Sequence, residues 1–204
     1  MKIKLFISVL ALLVLGGAGC VVFKKSGAPA STANVSDSDI LSGVTQVKVI
    51  TMEKKVPMVI YPNIEYAKIP NIKPIFLSLD LYVPQDNSNP LPVVIYIHGG
   101  AWVAGGKDCP AQMIINLGYA AACVNYRLSG DAKFPAHIHD VKAAVRWLRA
   151  NASKYNLDTN LFAAMGDSAG GHLAALLGTS GDVKELEGNV GVTGYSSRVQ
   201  AVID

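Results

Sequence analysis

The amino-acid sequence predicts an α/β domain with a mostly parallel sheet, and three observations support this prediction. Strand-like runs alternate with helix-like segments along most of the chain. Several of these runs are continuously apolar, which is typical of strands that are buried on both faces of a sheet. The chain has 204 residues, 50% of them hydrophobic and 16% charged, which is enough for one domain with a sizeable core.

The N-terminal segment predicts export of the protein. Residues 1–23 combine a basic start, an apolar run and small residues, as a secretory leader does. Three alternatives stay open: a lipoprotein leader in which Cys20 becomes the lipidated first residue, an ordinary signal peptide, and an uncleaved membrane anchor. All three place the domain outside the cytoplasm. Residues 24–43 are small and polar, as expected of a flexible tether, and the α/β domain is predicted over 44–204.

The elements of the domain follow from the spacing of apolar residues. Strands are predicted at 44–60 (one or two), 75–84, 91–100, 119–128, 160–166 and 199–204. Helices are predicted at 106–118, at 134–155 and directly after the strand that ends at Gly166. The long helix is amphipathic, because its apolar positions recur every three or four residues.

Composition and charge exclude several classes of function. The net charge of +3 comes from lysines near the N-terminus, and no basic stripe with interleaved aromatic residues indicates nucleic-acid binding. Three cysteines supply neither a disulfide framework nor a metal-ligand spacing. We expect Cys123 to be a buried free thiol within an apolar run, and Cys109 to have no special role. No metal or organic cofactor is implied.

The stretch GDSAGGH, residues 166–172, joins a predicted buried strand to a predicted helix. A Gly-x-Ser-x-Gly turn in that context holds the serine in a strained backbone conformation and lifts its hydroxyl above the sheet. Ser168 is therefore the candidate nucleophile, and the N–H of Ala169 can donate to a developing oxyanion. The alternative is a serine that merely caps the helix.

The stretch HGGAW, residues 98–102, ends the apolar strand two strand–helix units earlier. Glycines at that point expose backbone N–H groups toward a cleft and form the other half of an oxyanion hole. His98 could be a base, but we expect it to shape the loop by hydrogen bonding, because a serine in a Gly-x-Ser-x-Gly turn is served by a base that follows it late in the chain.

Together with NYRL (125–128), Phe134-Pro135 and the helix start at Asp140, these motifs resemble α/β-hydrolase serine esterases. The nearest group is that of the hormone-sensitive-lipase-like and feruloyl- or acetyl-xylan-esterase-like bacterial proteins. The resemblance runs from about residue 60 to the end and covers the first two thirds of that fold. It implies an α/β-hydrolase fold with a mostly parallel sheet, truncated after about the sixth strand.

The resemblance also implies roles for individual residues. It assigns Ser168 as the nucleophile, with oxyanion donors from Gly100, Ala101 and Ala169, and Gly99 as the alternative donor if the loop register differs by one. We further expect Asp140 to pair with Arg127 and to hold the NYRL loop.

The rest of a catalytic triad is not apparent in the sequence. This fold requires an Asp or Glu and then a His after the serine. His172 lies one turn along the same helix and is interpreted as a packing residue, whereas His137 and His139 are interpreted as substrate-side or structural. The later carboxylates are Asp182, Glu185, Glu187 and Asp204, of which the last closes a predicted strand. We therefore expect the chain to be a fragment of a longer protein or, alternatively, a short non-catalytic relative.

The sequence thus predicts an exported serine carboxylic-ester hydrolase that acts through an acyl-Ser168 intermediate. Its substrate would be a small-molecule or polysaccharide-linked ester, and its N-terminus would contact a membrane through a lipid or an anchor. Two alternatives remain. One is a serine peptidase or amidase of the same fold, and the other is a surface binding protein that kept the fold without the chemistry.

Overall fold

A computed structural model describes residues 10–13, 20–23, 55–181 and 183–204. The chain divides into two units, residues 1–53 and 54–204. In the first unit, strands β1 (Leu10–Leu13) and β2 (Cys20–Phe23) pair antiparallel. The rest of the predicted leader and the whole predicted tether lie outside the described residues. Among the helices that are described, none is both long enough and apolar enough to cross a membrane.

Six described strands form the sheet of the second unit. They are β3 (Met58–Glu65), β4 (Ser78–Pro84), β5 (Leu91–Ile97), β6 (Ala120–Val124), β7 (Leu157–Gly166) and β8 (Ala201–Ile203). Their order across the sheet is β3-β4-β6-β5-β7-β8. The strands β5 to β8 run parallel, whereas β3 with β4 and β4 with β6 pair antiparallel. The predicted mostly parallel sheet is confirmed, and its two antiparallel pairings make it a mixed sheet.

Helices cover both faces of this sheet. They are α1 (Ala111–Asn116), α2 (Ala136–Ala150), α3 (Ala169–Thr179) and the single turn α4 (Lys184–Glu187), with short 3-10 helices at Pro74–Leu77 and Ala152–Tyr155. Along β5, alternate residues face opposite layers: Val94 packs with α1, whereas Ile95 and Ile97 pack with α2 and α3. Each such fully buried aliphatic side chain stabilises the fold by roughly 1.5–3 kcal/mol.

Several predicted boundaries are wrong by a few residues, for local reasons. The helix predicted at 106–118 begins at Ala111, directly after Pro110, and ends before Gly118, which has a φ of +87°. The helix predicted at 134–155 is interrupted at Asn151, after which a 3-10 turn ends at Asn156 in the left-handed conformation. The strand predicted at 91–100 stops at Ile97, where the backbone turns into the glycine loop.

The expectation of a free thiol at Cys123 is wrong, because Cys109 and Cys123 form a disulfide with their Cα atoms 6.0 Å apart. Cys123 lies two residues after Ala121 and therefore on the same face of β6, the face that α1 covers. Cys109 lies just before α1 and packs against the apolar residues that α1 shares with β5 and β6. The packing of α1 on β6 thus brings together two cysteines that are 14 residues apart.

Candidate active site

Ser168 lies in the sharp turn between β7 and α3, as the sequence predicts. Its φ of 52° and ψ of −119° place a non-glycine residue in a strained region of the backbone map. Its side chain is exposed and makes no capping hydrogen bond to α3. The geometry therefore favours a presented hydroxyl over a capping serine, although the role of nucleophile stays a prediction.

The start of α3 packs directly against the carboxyl end of β5. A Cβ atom at Gly170 would lie 2.6 Å from the carbonyl oxygen of His98 and closer still to that of Ile97. Position 170 therefore accommodates only glycine at this distance. The approach brings the GDSAGGH turn beside the HGGAW loop, so the two motifs that the sequence singles out form one site.

The HGGAW loop has an unusual backbone. Gly100, Ala101 and Trp102 have φ values of 109°, 52° and 60°, three positive values in succession. The turn is closed by the N–H groups of Val103 and Ala104, which both donate to the Gly100 carbonyl oxygen at 3.0 Å. Strain of this kind at non-glycine residues costs on the order of 1–3 kcal/mol each and persists where the surroundings enforce it.

This backbone leaves a set of N–H groups without acceptors. Within the described part of the chain, the N–H groups of Gly99, Gly100, Ala101 and Ala169 donate to no protein atom. A helix start and a loop of free N–H groups together suit an anionic oxygen. The arrangement is what an oxyanion hole beside Ser168 requires, and the assignment of individual donors stays a prediction.

His98 shapes the loop, as expected from the sequence. Its Nδ1 donates to the Gly99 carbonyl oxygen at 2.7 Å, and its ring stacks on Tyr126 with centroids 4.4 Å apart. The Tyr126 hydroxyl in turn donates to the His98 carbonyl oxygen at 2.9 Å. Burial lowers the pKa of His98, against the opposing effects of the Gly99 carbonyl and the Asp167 charge. Burial therefore disfavours the charged form of His98, whose ring is fixed between the Gly99 carbonyl oxygen and Tyr126.

None of the four histidines, all of which lie in the described part of the chain, hydrogen-bonds to the Ser168 hydroxyl. His172 is exposed and meets the Trp102 ring edge-on at 5.4 Å, in agreement with a packing role. His137 lies 3.4 Å from the Ser129 hydroxyl, and His139 donates to the Glu185 carbonyl oxygen at 2.9 Å.

None of the later carboxylates among the described residues hydrogen-bonds to Ser168. The carboxylate of Asp204 lies against Gly171 in the first turn of α3. Glu187 binds Lys142 and Arg146 instead. Asp182 falls outside the described residues. The acid and base of a triad are therefore not assigned within the described residues.

The predicted pairing of Asp140 with Arg127 is confirmed. Nε and Nη2 of Arg127 donate to the two carboxylate oxygens at 2.8 and 2.7 Å, and the Arg127 backbone N–H donates at 3.0 Å. The hydrogen bond to Asp140 raises the pKa of Arg127. This pair fixes the segment after β6, where the Ser129 N–H donates to the Trp102 carbonyl oxygen at 2.7 Å. The NYRL segment thereby supports the HGGAW loop.

Two side chains of the site were missed by sequence reasoning. The Tyr96 hydroxyl donates to the Asp167 carboxylate at 2.6 Å, across 71 positions of sequence. Asp167 is the one charged residue within GDSAG, and Tyr96 is the one hydroxyl-bearing side chain in the apolar run that precedes His98. A hydroxyl-bearing residue in an apolar strand and an acidic residue in a turn of small residues were the signals from which this pair could have been predicted.

The contacts of Lys107, which follows the HGGAW loop, were also not predicted. Nζ of Lys107 lies 2.5 Å from Asp80 on β4 and 2.6 Å from the side-chain oxygen of Asn63 on β3. Asn63 has a φ of 53° at the irregularity in the β3–β4 register. The chain that leaves the HGGAW loop is therefore attached to the sheet edge, and no motif in the sequence indicated it.

Comparison with known proteins gives matches over the same region. A family model described as BD-FAE matches residues 79–204. The esterase LipC of Mycobacterium tuberculosis is 35% identical over 130 residues, which cover 61% of this chain and 32% of LipC. The carboxylesterase NlhH of the same organism is 40% identical over 105 residues, covering 50% of this chain and 33% of NlhH. The chain thus spans about a third of the length of these curated relatives.

Solved structures match over a larger share of the chain. A bifunctional GH43-CE protein of Bacteroides eggerthii is 43% identical with a TM-score of 0.64, over 70% of this chain and 22% of its own. A truncated carbohydrate esterase from gut microbiota is 33% identical with a TM-score of 0.64, over 72% and 55%. A tannase of Fusobacterium nucleatum is 28% identical with a TM-score of 0.66, over 76% and 39%.

Proposed function

Because the chain belongs to the BD-FAE family, a family of α/β-hydrolase esterases, we propose that the protein is a serine carboxylic-ester hydrolase with Ser168 as its nucleophile. One observation carries the proposal. The strained, exposed Ser168 lies at a helix start beside a loop whose Gly99, Gly100 and Ala101 N–H groups have no acceptor among the described residues. That combination serves acyl transfer, in which a nucleophile and an oxyanion develop next to each other.

The proposed reaction follows from this geometry. The Ser168 Oγ attacks the ester carbonyl carbon, and the carbonyl oxygen becomes an oxyanion that accepts hydrogen bonds from the Ala169 N–H and from the loop. Collapse of this intermediate expels the alcohol and leaves an acyl-Ser168 ester, which water then hydrolyses to the acid. Removal of one such N–H donor typically slows an enzyme of this type by about 10²–10³-fold.

The base that accepts the serine proton is proposed to come from outside this chain's own residues. Serine hydrolases of this fold place a carboxylate and then a histidine after the nucleophile. Since the chain spans about a third of its curated relatives, we propose that it is part of a longer protein in which both follow Asp204.

The proposed substrates are small-molecule esters or esters linked to a polysaccharide. The names of two similar structures support this class, since one is called a carbohydrate esterase and another a tannase. The same nucleophile could also serve a peptidase or amidase, so the test below includes an amide.

The test uses the full-length protein with a serine-directed phosphonate and a pair of substrates, an aryl ester and the matching aryl amide. We expect stoichiometric labelling and ester hydrolysis, with loss of labelling and a fall in kcat/KM of at least about 10³-fold in Ser168→Ala. Ser153→Ala is the matched control, since Ser153 is exposed in the 3-10 helix that follows α2. Ser168-dependent cleavage of the amide would favour the peptidase, because serine peptidases cleave both substrates whereas a simple esterase cleaves the ester alone. A folded protein that takes no label would be a binding protein.

We also propose that the domain is exported. The leader pattern of residues 1–23 supports this, and so does the Cys109–Cys123 disulfide, because disulfides persist mainly in oxidising compartments. Alkylation of the protein from cells, under denaturing conditions, should add two further groups after reduction. The double variant Cys109→Ser/Cys123→Ser should add none, and full alkylation of the wild type before reduction would contradict the proposal.

Detergent partitioning of Cys20→Ala against wild type distinguishes a lipid anchor from the other two leaders.

A further inference from the structure

The carboxylate of Asp167 lies between the two halves of the candidate active site. Its Oδ1 accepts the hydrogen bond from Tyr96 on β5. Its Oδ2 lies at the HGGAW loop, where a Cβ atom at Gly99 would come within 2.5 Å of it. The Asp167 carbonyl oxygen accepts from the Gly170 N–H at 2.8 Å, which closes the first turn of α3. One residue thus contacts β5, the loop and the helix start.

The contact between Tyr96 and Asp167 is a strong one. Its length of 2.6 Å is that of a hydrogen bond from a hydroxyl to an ionised carboxylate. Burial and then the hydrogen bond to Asp167 raise the pKa of Tyr96 to about 12, so its hydroxyl is protonated near neutral pH and donates to the carboxylate. Tyr96 is anchored in the centre of the sheet, because β5 pairs with β6 on one side and β7 on the other.

The charge of Asp167 is unfavourable for the chemistry beside it. A carboxylate close to an oxyanion repels it, and the effect of Asp167 is already visible on the neighbouring hydroxyl of Tyr126, whose pKa burial and then the Asp167 charge raise to about 12. Stabilisation of the oxyanion therefore does not explain why residue 167 is acidic. The contacts of its carboxylate with Tyr96 and with the loop at Gly99 do explain it.

We propose that Asp167 is a positioning residue: held by Tyr96, it sets the distance between Ser168 and the N–H groups of the Gly99–Ala101 loop. The inference rests on the proposed ester hydrolysis and adds to it the residue that aligns nucleophile and oxyanion donors. Alignment of this kind matters, since a misplacement of about 1 Å can cost about 10²-fold in rate. It also explains the glycine at position 99, since a side chain there would displace the Asp167 carboxylate.

The test compares four variants of the full-length protein: Asp167→Ala, Asp167→Asn, Tyr96→Phe, and Asp167→Ala combined with Tyr96→Phe. For each, kcat, KM and the inhibition constant of a boronic acid, which forms a tetrahedral adduct with serine, are measured with an aryl ester. Circular dichroism and the Tm establish that each variant is folded. Asp86→Ala is the matched control, because Asp86 is exposed near the opposite end of β5.

For Asp167→Ala we expect kcat to fall about 10- to 100-fold and boronate affinity to fall in parallel, with KM changed by less than about 3-fold. Asp167→Asn should recover most of this loss, because its amide oxygen still accepts from Tyr96. The double variant should be no worse than the worse single variant, since both remove the same contact.

Three results would overturn the inference. They are an unchanged kcat in a folded Asp167→Ala variant, an Asp167→Asn variant as slow as Asp167→Ala, and effects of the two single variants that multiply in the double variant. A wild-type protein that hydrolyses no ester overturns the proposed function and this inference with it. A wild type that loses activity in Ser168→Ala but not in Asp167→Ala overturns the inference alone.

Discussion

Two clusters of polar groups in this molecule have opposite character. At the carboxyl ends of β5 and β7, the N–H groups of Gly99, Gly100, Ala101 and Ala169 have no acceptor among the described residues. Ala101, Trp102 and Ser168 are held there at positive φ. Along α2, by contrast, Lys142 and Arg146 are 0% and 2% exposed, and each of their side-chain nitrogens has an acceptor.

The second cluster, the α2 anchor, consists of Lys142, Arg146, Glu187 and Ser197. Lys142 donates to the Ser180 carbonyl oxygen at 2.7 Å and to Glu187 at 3.3 Å. Arg146 donates to the backbone carbonyl oxygens of Glu187, Val190 and Val192 and also to the Glu187 carboxylate. The Ser197 hydroxyl donates to the same carboxylate at 2.7 Å. Two residues of a helix thus hold the irregular chain that leads from α3 to β8.

The contrast separates a stabilising cluster from a functional one. Buried polar groups that are fully paired hold the chain in one conformation, and an unpaired one costs about 1–3 kcal/mol. Free N–H groups and backbone strain persist in folded proteins mainly where a function requires them. We therefore expect substitutions in the α2 anchor to change the free energy of unfolding, and substitutions beside Ser168 to change the rate.

The largest expected effect on stability is that of Glu187→Ala. It leaves two buried cations without a carboxylate, so we expect the free energy of unfolding to fall by about 3 kcal/mol, the lower end of the range for breaking a buried ion pair. The lower end applies because the Glu187 side chain is itself 35% exposed. Denaturant titration measures the change, and kcat of the folded fraction should equal that of the wild type.

The same residue gives a pH dependence with a defined sign. Burial alone would raise the pKa of Glu187, but hydrogen bonds from Ser197, Arg146 and Lys142 outweigh it and lower the pKa below the ordinary 4.5. A lowered carboxyl pKa contributes stability that is fully present above the unfolded-state pKa and is lost as the pH falls through the folded-state value. The stability difference between wild type and Glu187→Gln should therefore be constant near neutral pH and shrink below about pH 4.5. A difference that grows on acidification would contradict the pairing.

The contrast also explains how much the sequence could predict. The turn at Ser168 and the loop after His98 were predictable, because local spacing of small residues and an apolar run define their backbone. The pair of Asp140 with Arg127 was predictable from the resemblance. The α2 anchor was not predictable, because nothing in the sequence around Lys142 or Arg146 indicates that both pair with Glu187, more than 40 positions later. The disulfide and the Tyr96–Asp167 bond likewise depend on which elements pack together.

The smallest expected effect tests the strain at the elbow itself. Ser168→Gly replaces a side-chain-bearing residue at a φ of 52° and ψ of −119° by one that adopts this conformation freely. Glycine relieves about 1–3 kcal/mol of backbone strain in the folded state, but it favours the unfolded chain by roughly 0.5–1 kcal/mol. We therefore expect the free energy of unfolding of Ser168→Gly to exceed that of Ser168→Ala by about 1 kcal/mol. Both variants lack the hydroxyl, and Ser168 makes no capping hydrogen bond that either would lose, so the comparison isolates the backbone.

At Ser153, in the 3-10 helix, the same change to glycine should instead destabilise relative to alanine. If Ser168→Gly unfolds at a lower denaturant concentration than Ser168→Ala, the turn is not strained, and the contrast between the two clusters fails at its central residue.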